Sequence, residues 1–474
     1  MKSAIWPHSI LHREAWERAA ARLQAGELSL LGLWGEPGHA HMAVIEVKTN
    51  ACAMFSIACE ANRFPSVGRL HPPAIRLERA IRDLVGLEPE GLPDTRPWLR
   101  HSGAYRFLPV EGESLHQIPV GPVHAGIIEP GHFRFTANGE TVVRLEERLG
   151  YAHKGTDSLM AGASIERAAA LAGRVSGDST VAFALAFARA VEAALEMDVP
   201  PRAVWLRALL AELERLANHF GDIGAVCNDA AFAILHAPCG LLRERVLRAA
   251  DSCFGHRLMM DRVVPGGVSC DLPADGERIL RALVAQARKD FPDLVELYDN
   301  TASLKDRTVG TGILSPALAQ QYAAGGYVGR ASARNFDARR APGYAPYDRL
   351  QFEVPVVHTG DVNARVWIRV REVEQSLALI EQILAQLPSG DLRVPLATAG
   401  TAGTREGVAL VEGFRGDILA WARIGPEGRI ERSHLRDPSW FQWPLLEAAI
   451  EGNIVADFPL CNKSFNCSYS GHDL

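Results

Sequence analysis

A chain of 474 residues is longer than one hydrophobic core usually serves, so two domains are expected before any motif is read. With 47% hydrophobic and 22% charged residues the composition is that of a folded globular protein, which excludes a disordered chain. The net charge of -6 leaves no basic footprint for a phosphate backbone, and no nucleic-acid partner is expected.

The amino terminus lacks the apolar core of a secretory signal, and nowhere do about 18 apolar residues run together, so no membrane span is predicted. Residues 12–26 read as an amphipathic helix, and "LSLLGLW" and "HMAVIEVKT" flank "GEPGHA" as a hairpin. "PAIRLERAIRDLVGL" (73–87) starts on proline and ends near Gly86, closing a small α+β unit. "EPEGLPDTRPWLRHSG", rich in Pro, Gly and charge, reads as a linker, with a domain boundary near 110–118. "HFRFTANGETVVRLEER" predicts a hairpin turning at Asn138-Gly139. In "PPRAVWLRALLAELERLANHFG", Leu206, Leu209, Leu210, Leu213, Leu216 and Phe220 repeat at helical spacing between Pro201 and Gly221, the pattern of a bundle helix. Residues 372–387 form a second such helix, and 407–436 return to hairpin character around Gly425-Pro426-Glu427-Gly428. The fold class is therefore α+β. A small amino-terminal α+β domain (1–115) precedes a mainly α-helical bundle domain with peripheral β-hairpins (116–474). The eight cysteines form no CxxC pair and are expected to be reduced thiols, and "GGYVGR" lacks the strand–turn–helix context of a dinucleotide site.

Several ordered segments carry a family resemblance: "GPVHAGIIEPGHFRF", "ERLGYAHKG", "AFARAVE", "LLAELERLANH", "DRTVGTGILS", "FEVPVVHTGDVNARVWIRVREVEQSLALIEQIL" and "NIVADFPLCNKSFNCSYSGHDL". Together they resemble the large subunit of membrane-bound nickel–iron hydrogenases (group 4, of the formate hydrogenlyase and hydrogenase-4 type) and, equally, the 49-kDa subunit of respiratory complex I. The preceding "NRFPSVGRLHPPAIRLERAIRDLVGLEPEGLPDTRPWL" resembles the 30-kDa complex I subunit. The resemblance implies a partner small subunit carrying a [4Fe–4S] cluster and antiporter-like membrane-arm subunits. It also implies a cytoplasmic position, peripheral on the inner face of the cell membrane through the complex.

In those hydrogenases four thiolates hold the metal centre. Matched to "RVSGDST" and "CSYSGHDL", the ligand positions fall on Ser176, Ser179, Ser468 and Gly471, none of which supplies a thiolate, so no metal and no cofactor bound by this chain are expected. Cys461 and Cys467 lie near the lost pair and read as small buried thiols more readily than as a rebuilt site. The same matching makes Glu129 the equivalent of a proton-passing carboxylate in a partly dry cleft and Arg415 that of an arginine over the active site; a buried ion pair is the other reading of each. Asp178 could offset Arg415 or couple to Glu129, or it could cap the helix that follows. Ser176, Asp178, Ser179, Ser468 and His472 are expected around a water-filled cavity. Complex I receives a quinone headgroup with a loop histidine and a tyrosine. Here the tyrosine position falls near Gly177, and His124 and His132 are the candidate histidines, each also readable as a structural residue bonded to backbone. Two functions follow from the resemblance. One is a metal-free oxidoreductase subunit taking electrons from the iron–sulfur partner to a quinone-like acceptor, coupled to ion translocation; the other is a structural and coupling scaffold. An active nickel–iron hydrogenase ranks below both.

Overall fold

The computed structural model describes residues 5–101, 104–396 and 403–474. In the amino-terminal unit, β1 (His8–Leu11), β2 (Leu28–Glu36), β3 (His39–Glu46) and β4 (Cys52–Ala58) form one sheet in the order β1-β4-β3-β2, with β1 parallel to β4 and the other pairs antiparallel. The hairpin of β2 and β3 is the one its alternating pattern predicts. β1 escapes pattern reading because it is only four residues long and pairs with β4, a strand distant in sequence. Helix α1 (Arg13–Gln24) buries Trp16 and Leu23, and the Trp16 indole donates to the Pro65 carbonyl at 3.0 Å. Helix α2 (Ile75–Val85) follows a short turn at Pro72–Ala74 and stops at Gly86, whose φ of 75° is a left-handed conformation that glycine adopts without strain.

The Pro-rich stretch after α2 is packed against both halves of the molecule rather than left as a free tether. Trp98 is 1% exposed, its indole donates to His472 Nε2 at 3.2 Å, and the Asp83 carboxylate accepts from the backbone N–H groups of Trp98 and Leu99. Three antiparallel strands follow, β5 (Leu115–Val120), β6 (His132–Asn138) and β7 (Thr141–Arg148); the last hairpin is the expected one, but Asn138 pairs with Thr141, so the chain turns at Gly139-Glu140, one residue beyond the expected Asn138-Gly139.

The core beyond them is helical: α3 (Thr180–Ala194), α4 (Pro201–Asp229), α5 (His236–Phe254), α6 (Gly276–Asn300) and α7 (Val362–Gln386). Helix α4 runs eight residues past Gly221, the end expected from sequence. A Cβ at Gly221 would lie 2.8 Å from the Arg243 side chain, so this glycine allows α5 to approach rather than ending the helix. α4 is buried on nearly every side, and its charges are paired: Glu212 accepts from Arg339, Tyr347 and Ser376. Helix α7 begins ten residues before the predicted span, where Asp361 accepts the Ala364 N–H at 2.7 Å as its cap.

The predicted carboxyl-terminal hairpin is part of a three-stranded sheet, β8 (Arg405–Glu412), β9 (Asp417–Ile424) and β10 (Ile430–Arg436). It joins the two halves: Trp421 packs on Trp34 with ring centroids 5.5 Å apart, and Arg423 pairs with Glu36 and Glu406. Helices α8 (Ser439–Ile450), α9 (Phe458–Phe465) and α10 (Tyr469–Asp473) bring the carboxyl terminus back beside the start of α3. No helix among the described residues is long and apolar enough to cross a membrane.

Candidate functional site

The segments holding the expected ligand positions meet at one point. Ser176 and Ser179 flank Asp178 in a single 3₁₀ turn before α3, and both hydroxyls donate to Asp178 Oδ1, at 2.6 and 3.2 Å. Arg415 lies in the tight turn between β8 and β9, closed by paired backbone hydrogen bonds between Gly413 and Gly416. Its guanidinium grips Asp178 in a two-pronged pair, with Nη1 2.9 Å from Oδ1. Nη1 also donates to Ser179 Oγ at 3.0 Å, and Nε donates to the Asn466 carbonyl at 2.6 Å. Burial works against both charges, but each outweighs that cost for the other: Arg415 holds the Asp178 carboxyl down at about 2, and Asp178 keeps the guanidinium above its ordinary range.

Asp178 is therefore an ion-pair partner and not a helix cap. The first turn of α3 is satisfied from elsewhere, because Glu214 on α4 accepts the N–H groups of Val181 and Ala182 at 2.7 and 3.1 Å. Glu214 is a site-shaping residue that sequence reading misses: it lies on the buried face of a bundle helix 33 residues from the amide it accepts from. Burial pushes its carboxyl up to about 8.

From the carboxyl-terminal side, Ser468 Oγ lies 3.3 Å from Ser176 Oγ and accepts the Gly471 N–H at 2.9 Å. These groups bond to one another instead of lining the expected water-filled cavity. Beside Asp178 there is a space of about 10 Å³, lined also by Glu214, Asn218 and Arg243, which is room for roughly one water. His472 does not join the cluster. It is stacked on Trp440 with centroids 4.0 Å apart, accepts from Trp98 and bonds Asp473 through Nδ1, so it anchors the terminal segment.

Glu129 stands at the rim, exposed, with Oε2 accepting the Ser470 N–H at 3.0 Å, and not in the partly dry cleft expected. The two histidines separate. His124 Nε2 is 3.2 Å from the Tyr469 hydroxyl, whereas His132 is buried beside Phe107 with Nδ1 3.3 Å from the Gly121 carbonyl, holding the base of the 121–131 loop. Burial lowers both imidazoles and raises the Tyr469 phenol. Tyr469 is the second residue missed from sequence. It comes from the carboxyl terminus, while the expected tyrosine position lies near Gly177.

A four-thiolate nickel–iron centre does not fit these residues. At Gly471 a Cβ would lie 2.5 Å from Asp437 Oδ2 and 2.6 Å from its Cγ, so the space a ligand side chain needs is filled by a carboxyl group. Asp437 is fully buried, Oδ2 has no partner among the described residues, and burial raises its pKa. Cys467 is buried with its thiol raised well above the usual range, and Cys461 is pushed up to about 11, so neither offers a thiolate near neutral pH.

Residues 238–399 match the family described as respiratory-chain NADH dehydrogenase, 49 Kd subunit, and residues 32–113 match respiratory-chain NADH dehydrogenase, 30 Kd subunit. Formate hydrogenlyase subunit 5 of Escherichia coli (strain K12) is 31% identical over 459 residues, covering 90% of this chain and 80% of that protein. The carbon monoxide-induced hydrogenase of Rhodospirillum rubrum is 32% identical over 357 residues, covering 74% of this chain and 98% of that one. Among solved structures, a chain of the membrane-bound sulfane sulfur reductase, described as an archaeal respiratory membrane complex, superposes with a TM-score of 0.71 at 26% identity, covering 77% of this chain and all of that one.

Proposed function

The chain belongs to the family that unites the large subunits of membrane-bound hydrogenases with the 49-kDa subunit of respiratory-chain NADH dehydrogenase, here fused behind a 30-kDa-type domain. On that premise we propose that it is a metal-free large subunit of a membrane-associated respiratory complex, peripheral to the membrane on its cytoplasmic side. Electrons reach it from the [4Fe–4S] cluster of a small partner subunit and pass to a quinone-like acceptor, and antiporter-like membrane-arm partners couple the step to ion translocation. What carries the metal-free part of this reading is the Asp437 carboxyl group in the space of the fourth ligand. The acceptor part is supported by the rim: reducing a quinone to its hydroquinone consumes two electrons and two protons, and His124, Tyr469 and Glu129 are proton-carrying groups gathered at one edge. The adjoining loop presents Val123 and Ile127, 78% and 100% exposed in the isolated chain, a surface suited to burial in an assembly.

The scaffold reading is favoured by a different observation: the donors of Arg415 are already committed to Asp178, Ser179 and Asn466, so the guanidinium is structural as it stands. Analysis of the purified complex for nickel, iron and bound quinone separates the alternatives. The expected result is iron from the partner cluster, bound quinone, and no stoichiometric nickel; one nickel per chain would refute the metal-free reading. Glu129→Gln is expected to leave assembly intact and to lower quinone reduction about tenfold or more, as loss of a positioned proton donor does. Normal turnover in this variant leaves the scaffold reading standing.

A further inference from the structure

Where the amino-terminal unit meets the body of the protein, three charged side chains from separate elements close on one another. Arg76, at the start of α2, donates through Nη1 to Glu147 Oε2 of β7 at 3.2 Å and pairs through Nη2 with Glu447 Oε1 of α8 at 2.6 Å. The backbone N–H of Glu147 donates to the same Glu447 oxygen at 2.8 Å, which holds the two carboxyl groups side by side. Water has little access: the side chains of Glu147, Arg76 and Glu447 are 0%, 12% and 22% exposed. Trp98 covers the guanidinium, with Arg76 Cζ 4.5 Å from the ring centroid.

One cation cannot neutralise two carboxylates, and among the described residues no other charge makes up the difference. Arg79 and Arg148 reach the same Trp98 ring, but Arg79 pairs with Asp94 and Arg148 donates to the Arg100 carbonyl. The other titratable groups that act on the cluster are Tyr322, Cys467, Tyr469, His472 and Glu146. Burial raises the two phenols and the thiol and lowers the imidazole, so all four are neutral near neutral pH. Glu146 is taken up by Arg96 and accepts the Leu108 N–H at 2.9 Å. The two carboxyl groups of the cluster therefore share one proton, and geometry places it on Glu147. Glu147 Oε1 is buried and has no partner among the described residues, so an ionised Glu147 would hold charge in a dry site beside a second carboxylate. A neutral carboxyl group avoids both costs. Burial, and then Glu447, accordingly raise Glu147 well above the ordinary carboxyl range.

We propose that Arg76, Glu147 and Glu447 form a pH-sensitive clamp on the amino-terminal unit: Glu147 carries a proton while α2 is docked and gives it up to solvent when α2 lifts away. The clamp is independent of the electron-transfer reading above. Its direction follows from linkage. The docked carboxyl lies above the free one near 4.5, so docking takes up a proton; it is tightest below about pH 4.5 and weakens as pH rises from there through the docked value. Hydrogen–deuterium exchange of the α2 amides in the isolated complex containing the full chain, corrected at each pH for the intrinsic exchange rate, measures the opening constant. Glu147→Gln keeps the shape of the neutral carboxyl and cannot ionise. The opening constant of the parent divided by that of this variant is therefore expected to rise at least about tenfold between about pH 5 and pH 9, with about tenfold per pH unit as the ceiling for one linked proton. Glu447→Gln leaves Arg76 and Glu147 as a one-to-one pair and should remove most of that rise. A parent-to-Glu147→Gln ratio that stays constant with pH, whatever its size, would overturn the proposal, and so would a rise in Glu447→Gln as steep as in the parent.

Discussion

Arg415→Lys is expected to destabilise the protein by about 2 kcal/mol and to shift its acid unfolding upward. The guanidinium spans three acceptor groups in different directions: the Asp178 carboxylate through both oxygens, the Ser179 hydroxyl and the Asn466 carbonyl. An ammonium is a single compact donor group that cannot reach the carboxylate and the carbonyl together, so at least one charged hydrogen bond is lost, typically worth about 1.5–3 kcal/mol. Removing one partner of a fully buried pair costs about 3–5 kcal/mol, but Asp178's side chain is 33% exposed, and water recovers part of that. The pH dependence follows from the depressed Asp178 carboxyl, held at about 2 by Arg415. Because the folded value lies below the unfolded one near 4, the pair's contribution is complete above about pH 4 and disappears as pH falls toward 2. In the lysine variant the depression shrinks, and this part of the acid transition moves toward pH 4. Denaturant titrations of the complex at pH 7 and across pH 2–5 measure both effects. Unchanged stability together with an unchanged acid limb would show that the pair is idle.

What the sequence makes legible here is convergence, and what it hides is who bonds to whom. The hairpin turning at Gly139-Glu140 and the bundle helix beginning at Pro201 follow from turn chemistry and apolar spacing, both of which are local. The meeting of Ser176, Arg415 and Ser468 was readable because three separate motifs share one family, although Ser176 and Ser468 are 292 residues apart. Partner choice inside the cluster was not readable. Asp before an apolar run is a cap by local chemistry, and only tertiary packing, which places Glu214 over the α3 amides and Arg415 over Asp178, reassigns it. Tyr469 beside His124 and Asp437 behind Gly471 were hidden for the same reason, since neither contact lies within one element. The stretch from Glu88 to Trp98 has a linker's composition, yet its single tryptophan and the Asp83 carboxylate pin it to the body of the protein.

Gly471→Cys, the change that would restore a ligand residue, is expected to disrupt the protein rather than begin a metal site. The new Cβ would sit 2.5 Å from Asp437 Oδ2 and 2.9 Å from Ser468 Oγ, well inside van der Waals contact. Asp437 has little freedom to move aside, because it is fully buried and its Oδ1 accepts the Ser439 N–H at 2.8 Å. Ser468 is likewise held by the Gly471 N–H and by Ser439, whose hydroxyl accepts the Ser468 N–H at 2.8 Å. Overpacking of this kind costs about 1–3 kcal/mol, and the strain falls on α10, which Asp473 and His472 pin to Ala152 and Trp98. Gly471→Ala, which adds the Cβ without the sulfur, should therefore lose nearly as much stability as Gly471→Cys. Adding Asp437→Gly should recover most of that loss, a coupling that a double-mutant cycle on unfolding midpoints reads directly. The same contact controls metal uptake. Under anaerobic titration with nickel(II), a chain carrying Ser176→Cys, Ser179→Cys, Ser468→Cys and Gly471→Cys should take up no stoichiometric metal while Asp437 remains. With Asp437→Gly added, it should approach one nickel per chain, because four thiolates then have room to converge. A four-cysteine chain that is as stable as the parent and binds nickel with Asp437 in place would sink this account, because the carboxyl group would then not be what bars the site.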